Sequence, residues 1–169
     1  MKVKLDIPYP EVMVEEKNSY YADLLSQDYA GMVSESTAAF LYSYQHFNTF
    51  KSNEEFAKII KEISIVEMKH LEMLGETIKL LGNDPVYKTC EASRGDCMMW
   101  SASNIDYSTD LKDMLKTDIK AEETAIKTYE HHKRLINDKY IKRMLDRIIL
   151  DEKRHLEIFN SIYNGLFKK

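Results

Sequence analysis

Turn-forming residues are scarce in this chain, with five Gly and three Pro among 169 residues. A fold of many short strands needs more of them, so the shortage argues against an all-β protein and for helices. Cysteine is rarer still. Cys90 and Cys97 form neither a disulfide framework nor a C-x-x-C pair, and both are expected to be reduced structural thiols. No basic tract is present and the formal net charge is -4, which gives no electrostatic footprint for nucleic acid or an anionic membrane. No apolar run is long enough to span a membrane. The opening residues, MKVKLDIPYPEV, lack the apolar centre of a secretory leader, so a cytoplasmic location is expected. What the chain does have is 44% hydrophobic and 31% charged residues, enough to build one ordinary core and too apolar for global disorder.

Pro8 and Pro10 keep residues 1–17 from forming a helix, and this stretch reads as an extended arm ahead of a single domain over 18–165. A first helix is predicted over residues 19–50, with Tyr21, Leu25, Asp28, Met32, Glu35, Ala39, Tyr42 and His46 on its inward stripe. Ser52 and Glu55 form a capping box that starts a second helix. Gly82, Asn83 and Pro85 stop that helix. Residues 83–107 show no helical period and hold Trp100, Met98 and Met99, which suit packing of a crossover or a contact between subunits. A third helix is predicted over 109–136, a turn with its cap at Asn137 and Asp138, and a fourth helix to about residue 163, closed by Asn164 and Gly165. Hairpin, long crossover, hairpin is the order of an all-α four-helix bundle.

Two Glu-x-x-His motifs stand out: Glu67-Met68-Lys69-His70 and Glu152-Lys153-Arg154-His155. Residues three apart share a helix face, so each motif aims a carboxylate and an imidazole the same way. The preceding helix of each hairpin carries a matching Glu-x-x-Ala-x-x-x-Tyr: Glu35, Ala38 and Tyr42 in one, Glu122, Ala125 and Tyr129 in the other. The two hairpins therefore read as an internal repeat about a pseudo-two-fold axis. Glu35 and Glu67 each lie 16 residues from residue 51, and Glu122 and Glu152 each lie 15 from residue 137. At ~1.5 Å per residue each pair sits level, ~23 Å from its turn. Glu123 shares a face with Lys116, Lys120 and Lys127 and is set aside in favour of Glu122.

Four buried carboxylates facing one point would repel strongly. Two divalent cations cancel their charge. Glu35, Glu67 and His70 are expected to hold one ion and Glu122, Glu152 and His155 the other, with one or two carboxylates bridging. Oxygen-rich ligation with one imidazole per ion suits Fe or Mn and not thiolate-seeking metals.

These residues resemble the ferritin-like superfamily of di-iron and di-manganese carboxylate proteins, in which two helices each give a Glu and two others each give Glu-x-x-His. The Ser34-Glu35-Ser36 stretch with Ala38 and Tyr42 is similar to the catalytic domain of rubrerythrin. Asp118 to Glu122 with Ala125, Ile126 and Tyr129 is similar to bacterioferritin and manganese-catalase-like proteins. The resemblance implies a ferritin-like bundle with two Fe ions, or two Mn ions, acting as an oxidoreductase on hydrogen peroxide or dioxygen. Alternatives it leaves open are Fe(II) oxidation with iron storage and di-manganese catalase activity. It also implies a homo-oligomer, a dimer or larger. Two departures are visible. Ala125 stands where rubrerythrins carry a further ligand Glu, and no paired C-x-x-C of a rubredoxin domain exists, so reductase activity would draw on an external donor such as a rubredoxin-like protein.

Around the six candidate ligands, Tyr42 and Tyr129 are placed either to hydrogen-bond them or to fill the core. Asp118, one turn before Glu122, is placed to accept the outer ring N–H of His70 or His155, and Asp28 is a second candidate for that role. His46, His131 and His132 have no partner at ligand spacing and are expected to be ordinary.

Overall fold

The computed structural model describes residues 2–90 and 97–168, with the side chain of Cys90 outside that description. Five helices follow in order: α1 Ser19–Ala30, α2 Glu35–Thr49, α3 Glu54–Leu80, α4 Leu111–Leu135 and α5 Lys139–Phe167. Between α3 and α4 lie β1 Lys88–Cys90, β2 Cys97–Met99 and a 3-10 turn at Ala102–Asn104. Helices α2 and α3 form one antiparallel hairpin and α4 and α5 the other, giving the ferritin-like four-helix bundle.

The first helix differs from expectation. It is two helices, α1 and α2, sharing one position in the bundle. The break follows from local chemistry at residues 31–34. Gly31 ends α1 by donating its N–H to the Gln27 carbonyl. A Cβ at Gly31 would stand 2.5 Å from that oxygen. The Ser34 hydroxyl accepts from the Thr37 N–H and caps α2. Met32, placed inward by periodicity, is consequently 66% exposed. The cap of α3 also moves by one residue: Asn53 accepts from the Phe56 N–H, while Ser52 bonds back to Thr49. At the far end Gly82 adopts φ +100 and Asn83 donates to the Ile78 carbonyl, a left-handed stop that glycine makes at little cost. Helix α5 runs through Asn164 and Gly165 to Phe167; a solvent-side last turn tolerates the glycine, which has nothing within 4 Å.

The crossover hairpin corrects the expectation for cysteine. Cys97 is disulfide-bonded, and the ladder register sets it opposite Cys90. Trp100 fastens the crossover to α2, its indole N–H donating to Thr37 Oγ1 at 3.0 Å and its ring 5.3 Å from that of Phe40.

Two apolar clusters fill the bundle, one built around Leu25, Leu74, Ile78, Leu145 and Ile148. The other is built around Tyr42, Phe56, Ile60, Ile63, Leu115 and Phe159. On α3 the two clusters are separated by one turn, Glu67 to His70, and on α5 by about two turns, which carry Glu152 to His155. The charged layer is thus sealed above and below by core. No described helix is long and apolar enough to cross a membrane.

Candidate metal centre

All six candidate ligands converge in this layer, and none is more than 3% exposed. Each comes from the face its helix turns inward: Glu35 from α2, Glu67 and His70 from α3, Glu122 from α4, Glu152 and His155 from α5. Glu123, the neighbour set aside on pattern, is exposed.

The geometry gives two overlapping groups. Ligand atoms of Glu35, Glu67, His70 and Glu152 lie within 4.8 Å of one another, as do those of Glu67, Glu122, Glu152 and His155. Glu67 and Glu152 belong to both. Glu67 Oε2 is 2.9 Å from His70 Nδ1 and Glu67 Oε1 is 2.9 Å from His155 Nδ1. Glu152 Oε1 is 2.9 Å from His70 Nδ1 and Glu152 Oε2 is 3.2 Å from His155 Nδ1. Each of these carboxylates spans both imidazoles. Glu35 stands on the His70 side, 3.6 Å from Nδ1, and Glu122 on the His155 side at 3.9 Å.

Protons alone satisfy this cluster poorly. Two inward ring nitrogens donate at most one hydrogen each, against four carboxylates, and Glu67 Oε1 and Glu152 Oε1 make no hydrogen bond. The titration behaviour reports the same shortage of positive charge. Burial, with Glu152 and Glu67 as charged neighbours, holds the Glu35 and Glu122 carboxyls well above their usual range. Burial alone would lower the histidines, but the carboxylates prevail: Glu152 and Glu35 raise His70, and Glu67 and Glu152 push His155 to about 10. In the metal-free chain the imidazoles act as the cations of the site. A donor set of buried carboxylate oxygens and two imidazole nitrogens fits a pair of divalent ions of the Fe or Mn kind.

The tyrosines cross the repeat axis. Tyr42 of α2 donates to Glu122 Oε1 on α4 at 2.5 Å, and Tyr129 of α4 donates to Glu35 Oε1 on α2. Asp118 does not serve a histidine. It accepts from Gln45 Nε2 at 2.7 Å, and burial keeps its carboxyl high. The group behind His70 is Asp151, whose Oδ2 lies 3.3 Å from His70 Nε2. Periodicity missed it because its counterpart in the first repeat is Val66, so the repeat gave no signal; its place one residue before Glu152 was the remaining clue. His132 is not ordinary either. It is 2% exposed, and its Nδ1 is 2.7 Å from Asp28 Oδ2, which occupies Asp28 with His132 and not with a ligand histidine. His46 faces the Ala57 carbonyl at 2.9 Å.

Asp151 joins the centre to the N-terminal arm, which runs along α5. Tyr9 donates its hydroxyl to Asp151 Oδ2 at 2.6 Å, and Arg147 Nη1 is 2.7 Å from Asp151 Oδ1. The Arg147 guanidinium lies 4.3 Å from the Tyr9 ring and donates from Nε to the Ile7 carbonyl at 3.0 Å. Burial would raise the Asp151 carboxyl, yet the bonds from His70, Arg147 and Tyr9 hold it at about 2.

Residues 29–163 match the family model of rubrerythrin, a span that includes all six candidate ligands. The chain belongs to the rubrerythrin family. This is a ferritin-like family of dinuclear carboxylate proteins. Among curated proteins, the chain is 26% identical to a probable manganese catalase of Clostridium acetobutylicum, over 91% of its own length and 75% of the relative's. Among solved structures, KatB, a manganese catalase from Anabaena, superposes with a TM-score of 0.85 at 27% identity, covering 99% of this chain and 82% of that one. The bacterioferritin of Desulfovibrio desulfuricans superposes with a TM-score of 0.74 at 22% identity, over 88% and 80%, which shows a shared fold. In this rubrerythrin-family chain the place of the further ligand Glu is taken by Ala125, which lines a cavity of about 320 Å³ between α2 and α4.

Proposed function

We propose that the protein is a dinuclear-metal oxidoreductase that consumes hydrogen peroxide, with disproportionation at a di-manganese centre as its reaction. The observation that carries this reading is the pair of shared carboxylates: Glu67 and Glu152 each reach both imidazole nitrogens, as a centre for two neighbouring ions requires. Similarity to two manganese catalases along nearly the whole chain supports manganese over iron. Bound here, a pair of redox-active ions supplies and takes back the two electrons that peroxide chemistry exchanges.

The residues of the chain divide the remaining work. His70 Nδ1 with Glu35 would complete one ion's set, and His155 Nδ1 with Glu122 the other's. Tyr42 and Tyr129 each hold one oxygen of Glu122 and Glu35, fixing how those carboxylates face the cavity. Glu35, Glu67, Glu122 and Glu152 all line that cavity, so peroxide entering between α2 and α4 meets the centre directly. Burial and the neighbouring carboxylates favour the protonated form of Glu35 and Glu122 in the metal-free chain, so binding of the ions displaces protons from both. The apolar clusters on both sides exclude bulk water.

The test is metal analysis with an oxygen electrode. Manganese-loaded protein should carry two ions per chain and evolve oxygen from hydrogen peroxide without a donor. The Glu67→Ala and His70→Ala variants should lose both properties. Iron-loaded protein that consumes dioxygen while oxidising Fe(II), and a cage-sized assembly on size-exclusion chromatography, would replace this reading with ferroxidase and storage. Peroxide loss only in the presence of a reduced rubredoxin-like donor would replace it with a peroxide reductase.

A further inference from the structure

The cavity over the centre is far larger than hydrogen peroxide needs. About 10–15 Å³ of free space holds one water, and an apolar cavity of about 150 Å³ holds benzene. The space between α2 and α4 is about 320 Å³, within the range of small-molecule pockets.

Its lining changes character with depth. The floor is the four carboxylates with the hydroxyls of Tyr42 and Tyr129. The wall exposes mainly apolar surface, from Ala38 and Leu41 on α2 and Ala121 and Ala125 on α4, between threonines such as Thr124 and Thr128. Ala38 and Ala125 hold equivalent places in the two repeats, three residues after Glu35 and Glu122, so small side chains open the space from both helices. Among the described lining residues the one cation is Lys120, exposed at the rim. A neutral molecule with an oxygen end and a hydrocarbon body matches both the floor and the wall.

From this we infer that the site also takes organic hydroperoxides, R–OOH, with the hydrocarbon tail along Ala38, Leu41 and Ala125 and the O–O–H group at the carboxylate floor. The inference rests on the peroxide reading above and extends it to a second substrate class. The reaction balances with hydrogen peroxide as reductant: R–OOH and H2O2 give R–OH, H2O and O2. The O–O bond of the hydroperoxide breaks and takes up two electrons. Hydrogen peroxide is oxidised to dioxygen, and its two protons pass to the two oxygens released by that cleavage.

The test uses cumene hydroperoxide and its unreactive alcohol, 2-phenyl-2-propanol. Calorimetric titration of the metal-free chain with the alcohol should give saturable binding at one site. Ala125→Leu and Ala38→Leu, each checked for folding by its melting curve, should weaken that binding by about tenfold or more as leucine fills the wall. In the manganese-loaded chain, cumene hydroperoxide with hydrogen peroxide should yield the alcohol. Ala125→Leu should raise the KM for cumene hydroperoxide more than that for hydrogen peroxide. Absence of saturable alcohol binding to the unmodified chain, or binding indifferent to both leucines, overturns the inference and leaves hydrogen peroxide turnover standing. Alcohol binding as expected with no turnover of either peroxide overturns the parent reading and the hydroperoxide assignment with it.

Discussion

Behind His70 the outer ring nitrogen meets Asp151 at 3.3 Å, and Asp151 is itself held by Tyr9 and Arg147. Behind His155 the same nitrogen makes no hydrogen bond among the described residues, and Asp118, expected there, bonds Gln45 instead. The inner faces of the two halves are nearly alike, since Glu67 and Glu152 treat both imidazoles equally. The repeat therefore preserved the six candidate ligands and the two tyrosines that hold Glu35 and Glu122, but not the groups behind the histidines. A histidine locked by an outer carboxylate keeps its tautomer and ring angle, whereas one without that bond is free to adjust. The half next to the arm is the rigid one.

The comparison breaks most completely at what the halves share. Glu67→Ala or Glu152→Ala should remove a ligand from both ions, and metal content should fall from two per chain to almost none by elemental analysis. Glu35→Ala, which touches the His70 side alone, should leave one ion bound more firmly than the other. Asp151→Asn should act on one half. The affinity for the ion beside His70 should drop about 10–100-fold while the other stays within about threefold, read by competition with a metal chelator. The same substitution leaves Arg147 buried without its partner, at a cost of about 3–5 kcal/mol in a denaturant titration. Tyr9→Phe removes a single hydrogen bond to a charged acceptor, so its effect should be about 1.5–3 kcal/mol and confined to the same half.

A pH series sharpens the contrast further. In the metal-free chain His155 is raised to about 10 from an ordinary value near 6.5. A base whose folded value is raised contributes stability in full below about pH 6.5 and loses it as pH climbs through about 10. Asp151, lowered to about 2, behaves in the opposite sense, contributing above about pH 4 and fading as pH falls through about 2. Metal-free protein should therefore melt at progressively lower temperature between about pH 6.5 and 10. Loading with Mn(II) should flatten that slope and release up to about four protons per chain, from His70, His155, Glu35 and Glu122, measurable in a weakly buffered pH titration.

How much of this was legible beforehand follows from which interactions repeat in sequence. The four glutamates and two histidines could be read because helical spacing and equal depth from each turn fix their convergence. The breadth of Glu67 and Glu152 across both groups could not, because spacing gives level and face but not which oxygen reaches which nitrogen. The break at Gly31 was hidden by an inward stripe that continues through Met32. Asp151 and His132 were missed for a common reason: each acts through a partner distant in sequence, in the arm or in α1. The disulfide at Cys97 was missed because seven-residue spacing of two cysteines matches no framework.

The most direct test of the account is anomalous diffraction from crystals of the manganese-loaded protein. Two peaks about 3.5–4 Å apart are expected, one beside His70 Nδ1 with Glu35 and one beside His155 Nδ1 with Glu122, with Glu67 and Glu152 touching both. A single peak, or manganese bound away from these six side chains, would contradict it.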